Sequence, residues 1–219
     1  MTTVDMFANP LYRKPYPESD QIEKDIRSIL AKGNTNAVKN GMTEELMHYE
    51  NDVGESLLDR EEFSWFKVWI EDIAATYIKD VLGELLIEDI VVTDSWLNVC
   101  NKGGYQYPHH HTNSYISGTY YVNFEEGHAP LIFRNENCSM FSRQQSISLG
   151  IDNDHPNKYN SDTIIWPEKG ECLFWQSHLT HGYMDNGKDD RISISFNLMP
   201  TVVNTDKYSF RVTPYKRDK

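Results

Sequence analysis

The sequence predicts an α+β protein, mainly β, in which helices precede a double sheet or barrel of the jelly-roll kind. Helical periodicity dominates the first half, and short apolar runs separated by turn residues follow residue 89. Aromatic residues make up 12% of the 219 residues, which argues against disorder. Helices before a block of strands are typical of α+β proteins, and many short strands favour packed sheets or a barrel.

Two helices are predicted in the first half. Segment 18–32 places isoleucine and leucine side chains on one face, with Gly33 as its C-cap. Segment 63–83 repeats aromatic and aliphatic residues at helical spacing, and Gly83 ends it. The polar segment 34–54 is predicted to be an irregular loop.

After residue 89 the sequence predicts strands, because short β-branched and aromatic runs alternate with Gly, Pro, Asn and Asp. The long polar segment 135–160 is predicted to be a lid over a substrate. Without a repeat or linker, the simplest organisation is one domain, 1–219, in which residues 1–88 are mainly helical and residues 89–219 form a β core. The predicted strands are IVVTDSWLNVC (90–100), SYISGTYYVNF (114–124), PLIFRN (130–135), SDTIIW (161–166), GECLFWQ (170–176), RISISFNLMP (191–200) and an edge strand in KYSFRVTPY (207–215).

Charge and composition exclude several classes of function. The net charge is −12 and no basic stripe is visible, so neither nucleic acid nor an anionic membrane surface is an expected partner. No apolar run approaches the roughly 18–20 residues of a membrane span. The three cysteines are far apart and form no C-x-x-C pair, which favours a reducing, cytoplasmic location.

Five of the eight histidines form two clusters at predicted strand ends. Residues i and i+2 of an extended segment point to the same side, so His109 and His111 can face one point while His110 faces away. His181 or His178 could supply a third ligand from a distant strand. Such a facial set is typical of non-haem Fe(II) oxygenases, whereas a solvated loop is the alternative interpretation.

Arg191 stands ten residues beyond His181 and opens an alternating strand. Alternation puts Arg191, Ser193 and Ser195 on one face of that strand. An inward arginine is costly unless it meets an anion, and its planar fork suits a carboxylate. A salt bridge to a structural Asp or Glu is the alternative.

These residues together resemble the Fe(II)- and 2-oxoglutarate-dependent oxygenase superfamily, in which H-x-[D/E] and a distal His are followed by a basic residue. The similarity is greater to a group of such oxygenases from bacteria and phages that carries an H-x-H…H…R-x-S pattern. The matching motifs here are W-L-N at 96–98, P-H-H-H at 108–111, S-G-T-Y-Y at 117–121, His181, and R-I-S-I-S-F-N at 191–197.

The resemblance implies a double-stranded β-helix, cupin-like, with the N-terminal helices packed on one sheet. It also implies Fe(II) as cofactor and 2-oxoglutarate as cosubstrate, with a histidine in place of the usual carboxylate ligand. His109, His111 and His181 would hold the metal, and Arg191 and Ser193 would bind 2-oxoglutarate. An inward Asn98 and one of the adjacent Tyr120 and Tyr121, of which Tyr120 is assigned, are further candidates for binding 2-oxoglutarate. His178 and Asn197 are candidates for supporting the ligands.

The expected activity is oxidation, by hydroxylation, of an unknown small-molecule or protein substrate, with release of succinate and CO2. Two alternatives stay open: a non-catalytic cupin-like module that binds a metal or small acid, and a three-histidine iron dioxygenase independent of 2-oxoglutarate. Arg191 argues against a module that binds only metal, because such a module needs no carboxylate clamp. In the three-histidine dioxygenase, Arg191 would bind substrate rather than cosubstrate. A homo-oligomeric state is also left open.

Overall fold

The computed structural model describes residues 8–32, 37–39, 43–49, 56–134, 162–204 and 206–213. Two antiparallel sheets form the double-stranded β-helix. The seven-stranded sheet has the order β1 (Tyr12–Pro15), β9 (Glu171–Gln176), β6 (Ile116–Asn123), β11 (Arg191–Pro200), β4 (Ile90–Cys100), β3 (Leu46–Tyr49) and β2 (Ala37–Lys39). The four-stranded sheet has the order β5 (Gln106–His109), β10 (His181–Tyr183), β7 (Leu131–Phe133) and β8 (Thr163–Ile165).

Strand β11 is the centre of the larger sheet, between β4 and β6. It has the bounds that alternation in the sequence predicts, 191–200, and it pairs with β4 over its whole length. Its side chains at 192, 194 and 196 enter the main hydrophobic core, whereas Arg191 and Ser193 line a cavity between the two sheets. The predicted alternation is therefore confirmed.

Helices α1 (Ser19–Ala31) and α2 (Ser64–Thr76) contribute buried faces to the same core as β11. The Phe66 ring of α2 meets the Tyr120 ring of β6 edge to face, with 4.9 Å between centroids. Helix α2 continues into a π-helical turn, Tyr77–Val81, and Gly83 follows at φ +68°. Gly83 thus ends the helical segment as the sequence predicts, because a left-handed φ suits glycine. The C-cap predicted at Gly33 lies outside the described residues.

The prediction of an irregular loop over 34–54 is wrong where β2 and β3 form. These two strands pair with each other, and β3 pairs with β4, so they extend the larger sheet. Strand β1 likewise joins the sheet through β9. Such short strands lack a clear local pattern and form because a distant strand offers backbone hydrogen-bonding groups. The predicted lid, 135–160, lies outside the described residues.

The last predicted strand forms, but at a different place. Strand β13 (Ser209–Arg211) pairs with β12 (Val202–Asn204) in a separate hairpin rather than at the edge of a main sheet. Arg211 binds Glu88 through two hydrogen bonds of 2.7 and 2.9 Å. Among the helices of the described residues, none is long and apolar enough to cross a membrane.

Gly118 is required where β6 passes the core. A Cβ atom at this position would lie 2.4 Å from Cε2 of Phe196 and 2.7 Å from the carbonyl oxygen of Leu173. We expect Gly118→Ala to lower the free energy of unfolding by about 1–3 kcal/mol, because overpacking forces neighbouring groups to shift. Urea denaturation measures the loss.

The matched control is Gly127→Ala, in an exposed turn. Gly127 has φ +96°, and the nearest atom to an added Cβ is 3.4 Å away, so only the backbone conformation opposes alanine there. That cost is about 1–2 kcal/mol. Thermal denaturation of both variants compares the loss of stability from a steric clash with the loss from backbone conformation alone. A Gly118→Ala protein as stable as wild type would contradict the packing argument.

Candidate active site

Three histidines converge where β5 and β10 pair. His181 opens β10 and lies opposite His109, the last residue of β5, while His111 follows two residues later. Their potential ligand nitrogens all lie within 4.8 Å of one another. The ring centroids are 4.6 Å apart for His109 and His181, 5.1 Å for His109 and His111, and 5.2 Å for His111 and His181. The predicted trio is thus brought together.

Backbone carbonyls fix the tautomer of two of these rings. Nδ1 of His109 lies 2.9 Å from the carbonyl oxygen of Tyr107, and Nδ1 of His181 lies 2.9 Å from that of Leu179. A carbonyl only accepts, so each Nδ1 carries the proton and donates. Each Nε2 therefore keeps a free lone pair, the usual arrangement of a metal-binding histidine.

His111 is held by its backbone and by a tryptophan. Its N–H donates to the carbonyl oxygen of Ser177 at 3.0 Å, and its ring stacks on Trp96 with 5.8 Å between centroids. The Ser177 hydroxyl forms a hydrogen bond with the Ser117 hydroxyl. The Ser117 hydroxyl donates to Oδ1 of Asn197 at 2.9 Å. Asn197 thus reaches the His111 turn through two serines, in line with its predicted supporting role.

Burial keeps two of the candidate ligands neutral. Removal from water lowers the pKa of His111 to about 4, and the nearby His109 and His110 add to the effect. Burial also lowers the pKa of His181 to about 3, although the hydrogen bond to Leu179 opposes it. Both rings are therefore unprotonated near neutral pH, as metal binding requires.

The remaining histidines of the two clusters lie outside this trio. His110 is exposed, as the i, i+2 geometry predicts. His178 is exposed in the turn before β10, and it does not join the group of converging ring nitrogens in the described residues. Trp175 meets the His181 ring edge to face at 4.7 Å. His181, rather than His178, is thus the distal member of the cluster.

Arg191 is buried at the base of the cavity, with 2% of its surface exposed. Its Nε donates to the carbonyl oxygen of Ala129 at 3.1 Å, and its guanidinium carbon lies 4.0 Å from the centre of the Tyr183 ring. The centre of the Tyr121 ring lies 5.3 Å away. Among the described residues no carboxylate forms a salt bridge with Arg191. The alternative of a structural ion pair is not supported.

The histidine trio and Arg191 share one cavity between the two sheets. Both sheets contribute to its wall, so metal ligands from one sheet face polar groups of the other. The residues that line it are Trp96, Asn98, Gln106, His109, His111, Gly118, Thr119, Tyr121, Leu131, Trp175, His181, Tyr183, Arg191, Ser193 and Ser195.

Ser193 and Asn98 lie where the sequence predicts. They are directly opposite each other on β11 and β4, and both are buried in the cavity wall. The Asn98 amide donates to the Ser195 hydroxyl at 3.0 Å, and that hydroxyl lies 3.1 Å from that of Thr119. These groups form a polar strip along the larger sheet.

The assignment of Tyr120 to the cosubstrate is wrong, because Tyr120 faces the opposite side of β6. Its ring packs against Phe66 in the main core, and the neighbouring Tyr121 lines the cavity instead. In the observed register Tyr121 pairs with Ser193 and Tyr120 pairs with Ile194. Opposite residues share a face of the sheet, so Tyr121 shares the face of Ser193.

Sequence reasoning also missed Tyr183 and Trp175, which lie two residues after His181 and near the end of β9. Both line the cavity, but as aromatic residues in apolar runs they look like ordinary core residues in the sequence. The position of Tyr183, two residues after the candidate ligand His181 on the same strand, was the only feature of the sequence that pointed to the cavity.

Four buried side-chain atoms of the described residues lack a hydrogen-bond partner, and all four belong to residues of this cavity. They are Oδ1 of Asn98, the hydroxyls of Tyr121 and Tyr183, and Nε1 of Trp175. Burial raises the pKa of both tyrosines, so both phenols keep their protons. Unpaired buried groups are costly and rare in folded proteins, so together they indicate a polar ligand.

The donor set fits a transition metal with a dianionic organic acid. Three neutral imidazoles suit iron and its neighbours in the first transition row. The guanidinium of Arg191, two phenols and an indole N–H supply donors for carboxylate and carbonyl oxygens. Fe(II) held by the three histidines and 2-oxoglutarate held by Arg191 are therefore compatible with the residues present.

Comparison with protein families gives one match. Residues 94–197 match the family model described as "Putative 2OG-Fe(II) oxygenase". This range contains the histidine trio and Arg191 as well as the central strands of the larger sheet. A comparison with curated proteins finds no match.

Solved structures share the fold at low identity. HygX from Streptomyces hygroscopicus, solved with nickel, 2-oxoglutarate and hygromycin B, is 13% identical, with a TM-score of 0.57, over 88% of this chain and 84% of its own. A Pseudomonas putida prolyl-4-hydroxylase is 14% identical, with a TM-score of 0.56, over 86% of this chain and 92% of its own. The α-ketoglutarate-dependent epimerase SnoN from nogalamycin biosynthesis is 12% identical, with a TM-score of 0.59, over 89% of this chain and 79% of its own.

These structural matches confirm the double-stranded β-helix, and the family model covers the segment of the chain that carries both sheets' site residues. Within residues 94–197, the chain is thus similar to the Fe(II)- and 2-oxoglutarate-dependent oxygenases.

Proposed function

We propose that the protein is a dioxygenase that uses Fe(II) and 2-oxoglutarate to hydroxylate a C–H bond of an organic substrate, with release of succinate and CO2. The observation that carries the proposal is the single cavity in which three imidazoles, a buried guanidinium without a carboxylate partner among the described residues, and unsatisfied polar groups face one another. Fe(II) bound with 2-oxoglutarate supplies the oxidising chemistry in such a site.

The protein's own residues bind and orient. Nε2 of His109 and Nε2 of His181 are directed by the carbonyls that accept from their Nδ1 atoms, and Trp96 limits rotation of the His111 ring. Arg191 would bind the distal carboxylate of 2-oxoglutarate, with Ser193 and the Tyr121 phenol beside it. Trp175 and Leu131 contribute apolar wall, which restricts water.

His111 distinguishes this site from one with a carboxylate ligand. Three neutral imidazoles leave the full double charge of the metal to the bound acid and the substrate, so an anionic cosubstrate is favoured electrostatically. A three-histidine set also occurs in iron dioxygenases that do not use 2-oxoglutarate. Arg191 calls for an anionic ligand in either reaction, because its charge has no carboxylate partner among the described residues. That ligand is 2-oxoglutarate in the reaction proposed and the substrate in the alternative.

The deciding experiment is succinate release from 2-oxoglutarate by the Fe(II)-loaded protein, first alone and then with pools of small metabolites and peptides. Succinate formation supports the proposal, and stimulation by one pool narrows the substrate class. Oxygen consumption without succinate would support the alternative three-histidine reaction. Metal binding with neither activity would support a non-catalytic cupin-like module.

We expect His181→Ala to abolish binding of one transition-metal ion per chain, because it removes one of three ligands. His110→Ala is the matched control: it removes an exposed imidazole from the same cluster and should leave affinity within about twofold. Calorimetric titration with Ni(II) and metal analysis after dialysis measure the outcome. Equal losses in the two variants would show that the ligand set is misassigned.

We expect Arg191→Ala to weaken 2-oxoglutarate binding by roughly 30- to 5,000-fold while metal affinity changes little. Removing one partner of a buried charge pair costs about 2–5 kcal/mol. Arg60→Ala, which removes an arginine that pairs with Glu62 at the surface, is the control and should bind normally. Titration of the metal-loaded proteins with 2-oxoglutarate tests this prediction. An unchanged affinity in Arg191→Ala would refute the assignment of Arg191 to the distal carboxylate.

The metal-free protein should lose stability as pH falls below about 6.5. In the folded state the pKa values of His111 and His181 are about 4 and about 3, below the value near 6.5 of an unfolded chain. The unfolded state therefore takes up protons first, and stability is full above pH 6.5 and falls toward pH 4. Each histidine contributes a slope of up to about 1.4 kcal/mol per pH unit.

Urea denaturation between pH 7 and pH 5 measures this slope before the carboxylates titrate strongly. His111→Asn removes one of the two titrating groups and should reduce the slope by up to half. A wild-type protein whose stability is flat over this range would contradict the lowered pKa values of His111 and His181.

A further inference from the structure

Next to Arg191, outside the lining of the cavity, three loops meet around one amide. The loop between β10 and β11 carries Asn186, which is fully buried. The other loops follow β4, at 101–105, and precede β7, at 124–130. No sequence motif marks Asn186, and its side chain does not line the cavity.

The Asn186 side chain bonds backbone groups of all three loops. Its Oδ1 accepts from the N–H of Ala129 at 2.9 Å. Its Nδ2 lies 3.1 Å from the carbonyl oxygen of Cys100, 3.0 Å from that of Asn101 and 2.6 Å from that of Lys188. One amide thus contacts four backbone groups: its oxygen accepts from one N–H, and its two N–H bonds are shared among three carbonyl oxygens.

Ala129 connects this amide to the clamp. The N–H of Ala129 is held by Asn186, and its carbonyl oxygen accepts from Nε of Arg191 at 3.1 Å. The guanidinium carbon lies over Tyr183, 4.0 Å from the ring centre. With Nε bound to Ala129, the terminal amino groups of the fork are left for a ligand carboxylate, and their direction depends on where the Ala129 carbonyl stands.

Backbone conformation in the same loop points to the same conclusion. Asp185 and Asp190 flank Asn186 at φ 52° and φ 68°, in the left-handed region, and Asp190 immediately precedes Arg191. The carbonyl oxygen of Asp190 accepts from the Asn123 amide at 2.7 Å. Residues in this region cost free energy and persist where surrounding bonds determine them. The loop is therefore fixed by specific polar contacts.

We propose that Asn186 is a positioning residue for the 2-oxoglutarate clamp: through Ala129 it sets the orientation of Arg191, although it touches no ligand itself. This inference rests on the proposed function, because it takes 2-oxoglutarate as the anion that Arg191 binds. It predicts a selective defect, in which recognition of the distal carboxylate is lost while the rest of the site survives.

The test compares two acids of equal chain length. 2-Oxopentanoate has the keto-acid end of 2-oxoglutarate but a methyl group in place of the distal carboxylate, so it cannot use Arg191. Calorimetry on the Ni(II)-loaded full-length protein measures both affinities. Their ratio isolates the contribution of the contact between Arg191 and the distal carboxylate. Ni(II) affinity, measured first, verifies that the histidine trio is intact.

We expect Asn186→Ala to reduce the preference for 2-oxoglutarate by about tenfold or more, the usual effect of losing a group that orients a ligand-binding residue. Binding of 2-oxopentanoate and Ni(II) should stay within about twofold of wild type. Ile70→Ala, in the core at helix α2, is a control for general destabilisation and should leave the ratio unchanged. Asn186→Ser, which leaves a hydroxyl and space for water, serves if the alanine variant does not fold.

A double-mutant cycle completes the test. In an Arg191→Ala background, Asn186→Ala should change the ratio no further, because both substitutions act on the same carboxylate contact. An unchanged ratio in the single Asn186 variants, or equal losses for both acids, would overturn the positioning role. A wild-type protein with no preference for 2-oxoglutarate would instead refute the proposed function itself, so the two failures are distinguishable.

Discussion

The antiparallel pairing of β11 with β4 and β6 is the constraint on which the site depends. Because side chains alternate along a strand, one face of β11 supplies the core beneath the helices and the other supplies Arg191 and Ser193 to the cavity. The two neighbouring strands present Asn98 and Tyr121 opposite Ser193. A slip of one residue would exchange the two faces, so stability of the core also fixes the chemistry of the cavity.

The cavity keeps polar groups in a buried state that the protein alone does not satisfy. Phenols, an indole and an amide oxygen remain unpaired there. Each such group costs about 1–3 kcal/mol. A ligand with several acceptor oxygens would offset this cost for the two phenols and the indole, which are donors, whereas the amide oxygen of Asn98 needs a donor. The same principle applies to the buried charge of Arg191, which has an aromatic ring and a carbonyl beside it rather than a carboxylate. A ligand that pairs with these buried groups would therefore gain affinity from removing their free-energy cost.

The metal ligands and the acid clamp are organised in different ways. Carbonyls two residues upstream orient His109 and His181, so local backbone determines where their Nε2 atoms point. Arg191 is instead oriented across the fold, by Ala129 and by the Asn186 amide that joins three loops. We therefore expect changes in those loops to affect the orientation of Arg191 more than that of His109 and His181.

The sequence by itself determined what is local: the two helices, most strands after residue 89, the i, i+2 pairing of His109 with His111, and the cavity face of β11. Tertiary structure decided which tyrosine faces the cavity. Counted without interruption from the pair Ile192–Asn123, the register would put Tyr120 opposite Ser195, but a bulge between Ile192 and Ser193 brings Tyr121 to the cavity instead. The strands at 12–15, 37–39 and 46–49, and the Asn186 contacts, likewise depend on partners distant in sequence, which no local pattern encodes.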